Sequence, residues 1–173
     1  MTPSVSFRVI FFLAALLVCA GCSFDPFSPN HDDPPVAIKP PEANEFEWEV
    51  FKLTNNERVN RGIVPFEWHT ALASVARGHS EDMAGNNFMD HTGSDGSSPF
   101  DRMSRAGILY SSAAENVAAG YQTPEAVVAG WMGSEGHRNN ILNPGLTHLG
   151  VGYAYNSGSY YRHYWTQAFI KPR

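Results

Sequence analysis

Histidine and glutamate are the residues of this 173-residue chain best suited to acid–base or metal chemistry. Seven histidines occur, and two imidazoles with one carboxylate can form a zinc site that keeps one position open for water. The sequence has no His-Glu-x-x-His helix, EF-hand or phosphate-loop glycine pattern that would select the ligands. The candidates are dispersed along the chain: His79, His91, Glu115, Glu135, His137, His148 and His163. Spacing alone does not choose among them.

A serine nucleophile is another chemical hypothesis, because Ser80 directly follows His79. Consecutive residues on a helix point about 100° apart, so adjacency does not give the contact that a nucleophile needs with its base. This pair is therefore set aside as a catalytic site.

An apolar stripe with helical spacing predicts the helix that carries His79. Its members are Leu72, Ala76, His79 and Met83. The stripe places His79 on the inward face, where we expect a hydrogen-bonded core histidine. Phe46, Val50 and Leu53 predict an earlier helix in the same way.

Turn and cap residues predict the remaining elements. Thr123-Pro124 supplies an N-cap and a first-turn proline for a helix through Trp131, which Gly133 and Gly136 should weaken or end. Residues 91–98 are rich in Gly, Ser and Asp and predict a loop. Residues 150–155 and 160–170 predict a β-hairpin. Helices followed by a hairpin indicate an α+β fold.

Composition limits the classes of function. The chain has 12 Lys and Arg against 17 Asp and Glu, a formal charge of −5, and no basic block. Nucleic-acid binding draws much of its affinity from clustered Lys and Arg, so we exclude that class. The length corresponds to one ordinary domain.

The N-terminus is typical of an exported protein. Residues 9–21 are uncharged, and as a helix they cover roughly 20 Å, short of the roughly 30 Å hydrocarbon layer. The run ends in Cys19-Ala20-Gly21-Cys22, which resembles the lipobox of bacterial lipoproteins. We therefore predict a signal peptide over 1–22 and a lipid on Cys22, with cleavage without lipid as the alternative. Residues 23–44 hold six of the 12 prolines and predict a tether, leaving 45–173 as the domain.

Three ordered groups of residues in 45–173 carry a family resemblance. They are Asn56-Glu57-Arg58 with Gly62 and Pro65; His79-Ser80-x-Asp82-Met83 with His91-x-Gly93, Pro99, Arg102 and Glu115-Asn116-Val117-Ala118; and Trp131 to Leu142 with Thr147, Gly150-Val151-Gly152 and Tyr164-Trp165-Thr166-Gln167. Together they resemble the bacterial branch of the CAP superfamily, the cysteine-rich secretory, antigen 5 and pathogenesis-related proteins, also called the SCP domain.

This resemblance implies an α+β fold, an α-β-α sandwich whose central antiparallel sheet of three or more strands is flanked by helices. It also implies a cavity, which two His and two Glu line in animal relatives. By position, His91 and Glu115 match the first pair. Ser134 and Tyr164 stand where the second pair would be, and the bacterial pattern carries His137 instead. The implied site is therefore His91, Glu115 and His137.

His79, Glu135 and His163 are further cavity candidates. Glu135 lies one residue beyond the matching position, about 100° around a continuing helix, and His163 neighbours Tyr164 on the opposite side of a strand. Each residue of the implied site also has a structural interpretation. His91 would stabilise the loop over residues 91–98, which we call the glycine loop. Glu115 would stabilise a turn, and His137 would stabilise the end of a helix.

Three functions follow from these residues and the resemblance. The first is an exported, lipid-anchored domain on the cell envelope that binds a small apolar ligand, lipid or peptide in the cavity. The second is a hydrolase in which His91 and His137 hold Zn²⁺ and Glu115 is a ligand or general base. The third is a structural or host-interaction protein of the envelope. We expect a monomer that contacts the membrane through the lipid on Cys22, and Ser23 is compatible with sorting to an outer membrane.

Overall fold

The computed structural model describes residues 38–173. The predicted signal peptide, Cys22 and the predicted tether up to residue 37 lie outside these residues. In the described part of the chain, no helix combines the length and apolar character needed to span a bilayer.

Nine elements make up residues 38–173. In chain order they are α1 (Glu45–Val59), β1 (Glu67–Trp68), α2 (Thr70–Asn86), α3 (Pro99–Arg105), β2 (Tyr110–Ala119), α4 (Pro124–Gly133), α5 (Glu135–Ile141), β3 (His148–Tyr155) and β4 (His163–Pro172). The strands form one sheet in the order β1-β3-β4-β2. The three long strands are antiparallel, as predicted, and the two-residue β1 joins β3 in parallel, so the sheet is mixed.

Helices cover both faces of this sheet. Along β3, Leu149 and Val151 point to one face, where they join Trp131 of α4 in the largest apolar cluster. Gly150 and Gly152 face the other side of the sheet, where a Cβ would overlap the backbone of α2. The α-β-α sandwich that the resemblance implies is thus confirmed.

Side-chain caps fix where several helices begin. Asn44 and Glu47 form a capping box at the start of α1, and Ser98 and Asp101 form another at the start of α3. The predicted cap at Thr123 is confirmed, because its hydroxyl accepts a hydrogen bond from the backbone of the first turn of α4. Each cap satisfies a backbone N–H that has no partner within the helix.

One local expectation is wrong. Glu115 does not lie in a turn but within β2, paired with Ala168 of β4. Sequence patterns do not predict this strand because alanine, which dominates residues 113–119, has a low intrinsic preference for strands. The expected end of the Trp131 helix at Gly133 is confirmed, and Gly136 lies in a separate helix that starts at Glu135 after an extended Ser134.

Candidate functional site

The candidate site lies along β2, the edge strand of the sheet, where both helical layers reach the last strand. Side chains alternate along a strand. Val117 accordingly packs with Met83 of α2, whereas Asn116 hydrogen-bonds to α5 on the other face. Residues from the two layers can therefore meet around this edge.

Glu115 is the central residue of the site. Its Oε1 lies 2.9 Å from His91 Nδ1, and its Oε2 accepts a hydrogen bond of 2.8 Å from Arg102. The Glu115 side chain is only 3% exposed, so these contacts replace the water that burial removes. A carboxylate only accepts, so the proton of His91 lies on Nδ1 and Nε2 is the ring nitrogen left for a ligand.

Arg102 holds the carboxylate and the glycine loop together. Besides Glu115, it donates to the backbone carbonyls of His91, at 3.1 Å, and Ser97, at 2.9 Å. Arg102 lies in a segment that carries the family resemblance but is not among the predicted site residues. Its place in the sequence carries no signal of this role, because 13 residues separate it from Glu115.

His137 reaches the site from the opposite layer. Its backbone carbonyl accepts a hydrogen bond of 3.2 Å from the side-chain amide of Asn116. Asn116 is fully buried and also contacts Asn140 of α5 at 2.9 Å and Gln167 of β4 at 3.0 Å. Gln167 in turn donates to Thr54 of α1 at 2.8 Å. This chain of buried amides fixes α5, and with it His137, to the edge strand.

The two histidines have opposite pKa shifts. The hydrogen bond to Glu115 is the main cause that raises the pKa of His91 above 6.5. Burial lowers the pKa of His137 below 6.5, and the charge on nearby His91 lowers it further. In mildly acidic solution the site therefore offers a charged imidazolium next to a neutral imidazole.

We expect NMR titration of the ring protons to place His91 above pH 6.5 and His137 below it. Glu115→Gln removes the accepting carboxylate, so the pKa of His91 should fall while that of His137 stays low. Because the folded pKa of His91 is raised, its stabilising effect is full below pH 6.5 and is lost as the pH rises through the folded pKa. Glu135→Gln, at an exposed position, is the control. An unchanged His91 titration in Glu115→Gln would contradict the assignment.

The three further cavity candidates, His79, Glu135 and His163, lie outside the cluster formed by His91, Glu115 and Arg102. His79 is buried in α2 behind Arg102, where its Nε2 contacts the Asp90 carbonyl at 2.8 Å, so the predicted core histidine is confirmed. His163 lies near the β-hairpin turn and pairs with the hydroxyl of Tyr153 at 2.9 Å. Glu135 is exposed in the first turn of α5.

Ser80 also has a structural partner. Its hydroxyl is buried and hydrogen-bonds to Thr166 at 2.9 Å and to the carbonyl of Gly152 at 3.1 Å. It therefore ties α2 to the sheet.

A cavity of about 270 Å³ opens next to His137. Its walls are formed by Met89, Val117, Ala118, Ala119, Tyr121, Gly130, Trp131, Ser134 and His137. Trp131 is held in place by a hydrogen bond of 3.3 Å from its indole to the carbonyl of Val117. Ser134 and His137 thus bring polar groups to a lining that is otherwise apolar or aromatic.

The donor set does not fit a zinc centre. Both oxygens of Glu115 are held, one by His91 and one by the cationic Arg102, which opposes the approach of a metal ion. Within residues 38–173, no three His, Cys, Asp or Glu side chains lie close enough to share an ion. His91 and His137 would be two ligands, whereas zinc sites take three or four from the protein.

Comparisons with known sequences find a family and two similar proteins. The profile of the cysteine-rich secretory protein family, CAP, matches residues 51–169. The uncharacterized protein YkwD of Bacillus subtilis is 48% identical over 131 residues, which is 76% of this chain and 49% of the relative. The uncharacterized membrane protein YlbC of the same organism is 39% identical over 143 residues, 78% of this chain and 39% of the relative. The chain thus spans half or less of the length of these curated relatives.

Solved structures show the same fold. An extracellular protein containing an SCP domain from Bacillus anthracis aligns with a TM-score of 0.65 at 37% identity, over 72% of this chain and 40% of that one. An outer surface protein of Borrelia burgdorferi aligns with a TM-score of 0.66 at 18% identity, over 72% of this chain and 90% of that one. The second likeness concerns the fold alone.

Proposed function

The chain belongs to the cysteine-rich secretory protein (CAP) family, and from this membership and the geometry of the β2 edge we propose that it is an exported, envelope-anchored domain that binds a small ligand. The ligand enters the cavity beside His137 and contacts the His91–Glu115–Arg102 cluster. The observation that carries the proposal is that a largely apolar cavity, walled by Val117, Ala118 and Ala119, and a fixed polar cluster, centred on Glu115, lie along the same edge strand.

The cavity favours a ligand with an apolar body and one polar group. At about 270 Å³ it lies near the lower end of the volumes typical of small-molecule sites. Burying an apolar chain against Met89, Val117 and Trp131 gains roughly 25 cal/mol per Å² of surface removed from water. Ser134 and His137 supply hydrogen-bonding groups to orient the polar end.

Binding is favoured over hydrolysis by the state of the carboxylate. A general base must be free to take a proton from the attacking water. Glu115 is buried and paired with Arg102 on one oxygen and with His91 on the other, so both oxygens already accept hydrogen bonds. These pairs suit a rigid framework that positions His91 for recognition.

The cavity is tested by titrating the purified chain with octanol, octanoate and octylamine while following the indole N–H of Trp131 by NMR. We expect saturable shifts with at least one probe. Ala119→Leu places bulk in the cavity and should weaken binding about tenfold, since the ligand loses apolar contact. Ser112→Leu, at an exposed position on the same strand, should leave binding unchanged. If no probe shifts the Trp131 signal up to the solubility limit of that probe, the binding role is rejected and a purely structural role of the cluster is favoured.

The anchor is a separate part of the proposal. Support comes from the lipobox-like Cys19-Ala20-Gly21-Cys22 and from the extracellular description of the Bacillus anthracis relative. Cys22→Ser removes the thiol that would carry the lipid, so we expect immunoblots to find the variant in the medium and the parent chain in the membrane fraction. Cys19→Ser is the matched control and should stay with the membrane. Retention of Cys22→Ser would rule out lipid as the main tether.

A further inference from the structure

A second, polar cleft of about 300 Å³ lies on the α2 side of the sheet. Helix α2, the glycine loop and α3 form its walls, with His79, Asp82 and Ser94 on one side and Asp95, Arg102 and Arg105 on the other. Arg102 is therefore part of both the candidate site and this cleft. Its terminal nitrogen binds Glu115 in the candidate site, and its side chain also lines this cleft.

Two buried atoms on the wall of the cleft have no hydrogen-bond partner among residues 38–173. They are His79 Nδ1 and Arg102 Nε. His79 is 1% exposed, and its Nε2 must donate to the Asp90 carbonyl, so Nδ1 is an acceptor. Arg102 Nε–H is a donor, and both side chains line the cleft. A group that both donates and accepts would satisfy both atoms.

The remaining lining defines the chemistry of the ligand. Arg105 pairs with Asp95, and Arg102 pairs with Glu115. Asp82 accepts hydrogen bonds from Ser94 and Asn86, so each charged group of the lining already has a partner and none requires a charged ligand. Its side chains are charged, hydroxyl-bearing or imidazole groups, which gives an apolar chain no surface to contact. A neutral molecule with several hydroxyl groups matches this alternation of donors and acceptors.

We propose that this cleft binds a neutral polyhydroxyl compound, such as a sugar unit. One hydroxyl accepts from Arg102 Nε and donates to His79 Nδ1, and others contact the carboxylates at the mouth. A single water molecule also satisfies the two buried atoms, but the cleft is several times larger than a water. Because Arg102 lines this cleft and also binds Glu115, a ligand in the cleft would affect the position of Glu115. The proposal does not depend on the cavity beside His137.

Two glycines of α2 provide a matched pair of variants. A Cβ at Gly78 or Gly85 would meet no other atom within 4 Å, and both residues are exposed, so a larger side chain can extend into solvent at either position. Gly78 lines the cleft and Gly85 does not. Gly78→Leu therefore blocks the mouth, whereas Gly85→Leu makes the same chemical change elsewhere on the helix.

The test is a titration of the purified chain with glycerol, glucose and N-acetylglucosamine, followed through the backbone amides of Ser94 and Ser97. We expect saturable shifts for at least one sugar in the millimolar range, weakened at least fivefold by Gly78→Leu and unchanged by Gly85→Leu. The same titration with a tetramer of that sugar distinguishes two sources of the ligand. Tighter binding of the tetramer than of the monomer assigns the cleft to the end of a glycan chain, and equal or weaker binding assigns it to a free sugar. Absence of any shift up to 100 mM, a stronger response to inorganic phosphate, or equal binding by Gly78→Leu overturns the proposal.

Discussion

Replacing Arg58 with methionine is expected to lower the free energy of unfolding by about 3 to 5 kcal/mol. The guanidinium is 1% exposed, and it donates to the backbone carbonyls of Val64 at 2.8 Å, Ile141 at 2.7 Å, Asn143 at 3.0 Å and Leu146 at 3.1 Å. Methionine fills much of the same volume but has no donor. The substitution therefore leaves the carbonyls of Val64, Ile141 and Leu146 without their side-chain donor, while that of Asn143 keeps only the hydrogen bond from the backbone N–H of Leu146.

Burial alone lowers the pKa of Arg58 to about 10, so the side chain is still charged at neutral pH. Its charge is balanced by the dipoles of the four carbonyls and by the ring of Phe66, whose centroid lies 3.7 Å from the guanidinium carbon. The planar guanidinium presents donors in several fixed directions at once, which an ammonium does not. Arg58→Lys should therefore recover only part of the loss.

Denaturant unfolding of the purified variants measures this effect. Arg61→Met is the control, because Arg61 lies three residues away on the surface, just beyond the end of α1, and pairs with Glu57 of that helix. A pair of this kind contributes about 0.3 to 0.5 kcal/mol. Equal losses in Arg58→Met and Arg61→Met would show that the buried guanidinium has no special role.

Arg58 also helps to hold α5, which carries His137 of the candidate site. Its hydrogen bonds join α1 to the segment that leaves α5, from Ile141 to Leu146. His137 lies within α5, one turn before Ile141. In the Arg58→Met variant we therefore expect a loosened α5 even at temperatures where the sheet remains folded.

Local signals in the sequence were sufficient for several elements. The apolar stripe of α2 and the cap at Thr123 are short-range features, and both are found in the structure. The strand that carries Glu115 has no such signal, because its alanines favour helix over strand. Only pairing with β4, whose partner residues lie 45 or more positions later, makes it a strand.

The candidate site could be predicted only through the family resemblance. His91 and Glu115 are separated by 24 residues, and no periodicity relates them. Arg102 lies on α3, which is not among the predicted helices, so nothing local indicates its contact with Glu115. The chain of buried amides is equally nonlocal, since Thr54, Asn116 and Gln167 meet only after the layers have packed.

Gly152→Ala is expected to destabilise the protein by about 3 kcal/mol or more. A Cβ at this position would lie 2.2 Å from the backbone carbon of Ala76 and 2.2 Å from the nitrogen of Arg77. These are backbone atoms of α2, so no side-chain rotation relieves the overlap and the whole helix must shift. The carbonyl of Gly152 also accepts the hydrogen bond from Ser80, which the shift would stretch.

A helix displaced from Gly152 carries its functional neighbours with it. His79 lies on α2 beside Ser80, so its ring would withdraw from the Asp90 carbonyl and from Arg102. Gly78→Ala is the matched control on the same helix, since its new Cβ meets open space and alanine favours helix by about 0.5 to 1 kcal/mol. Thermal melts should therefore move in opposite directions for the two variants. If Gly152→Ala melts with the parent chain, α2 does not rest on the sheet as closely as the structure has it, and the positions of His79 and Arg102 must be reconsidered together.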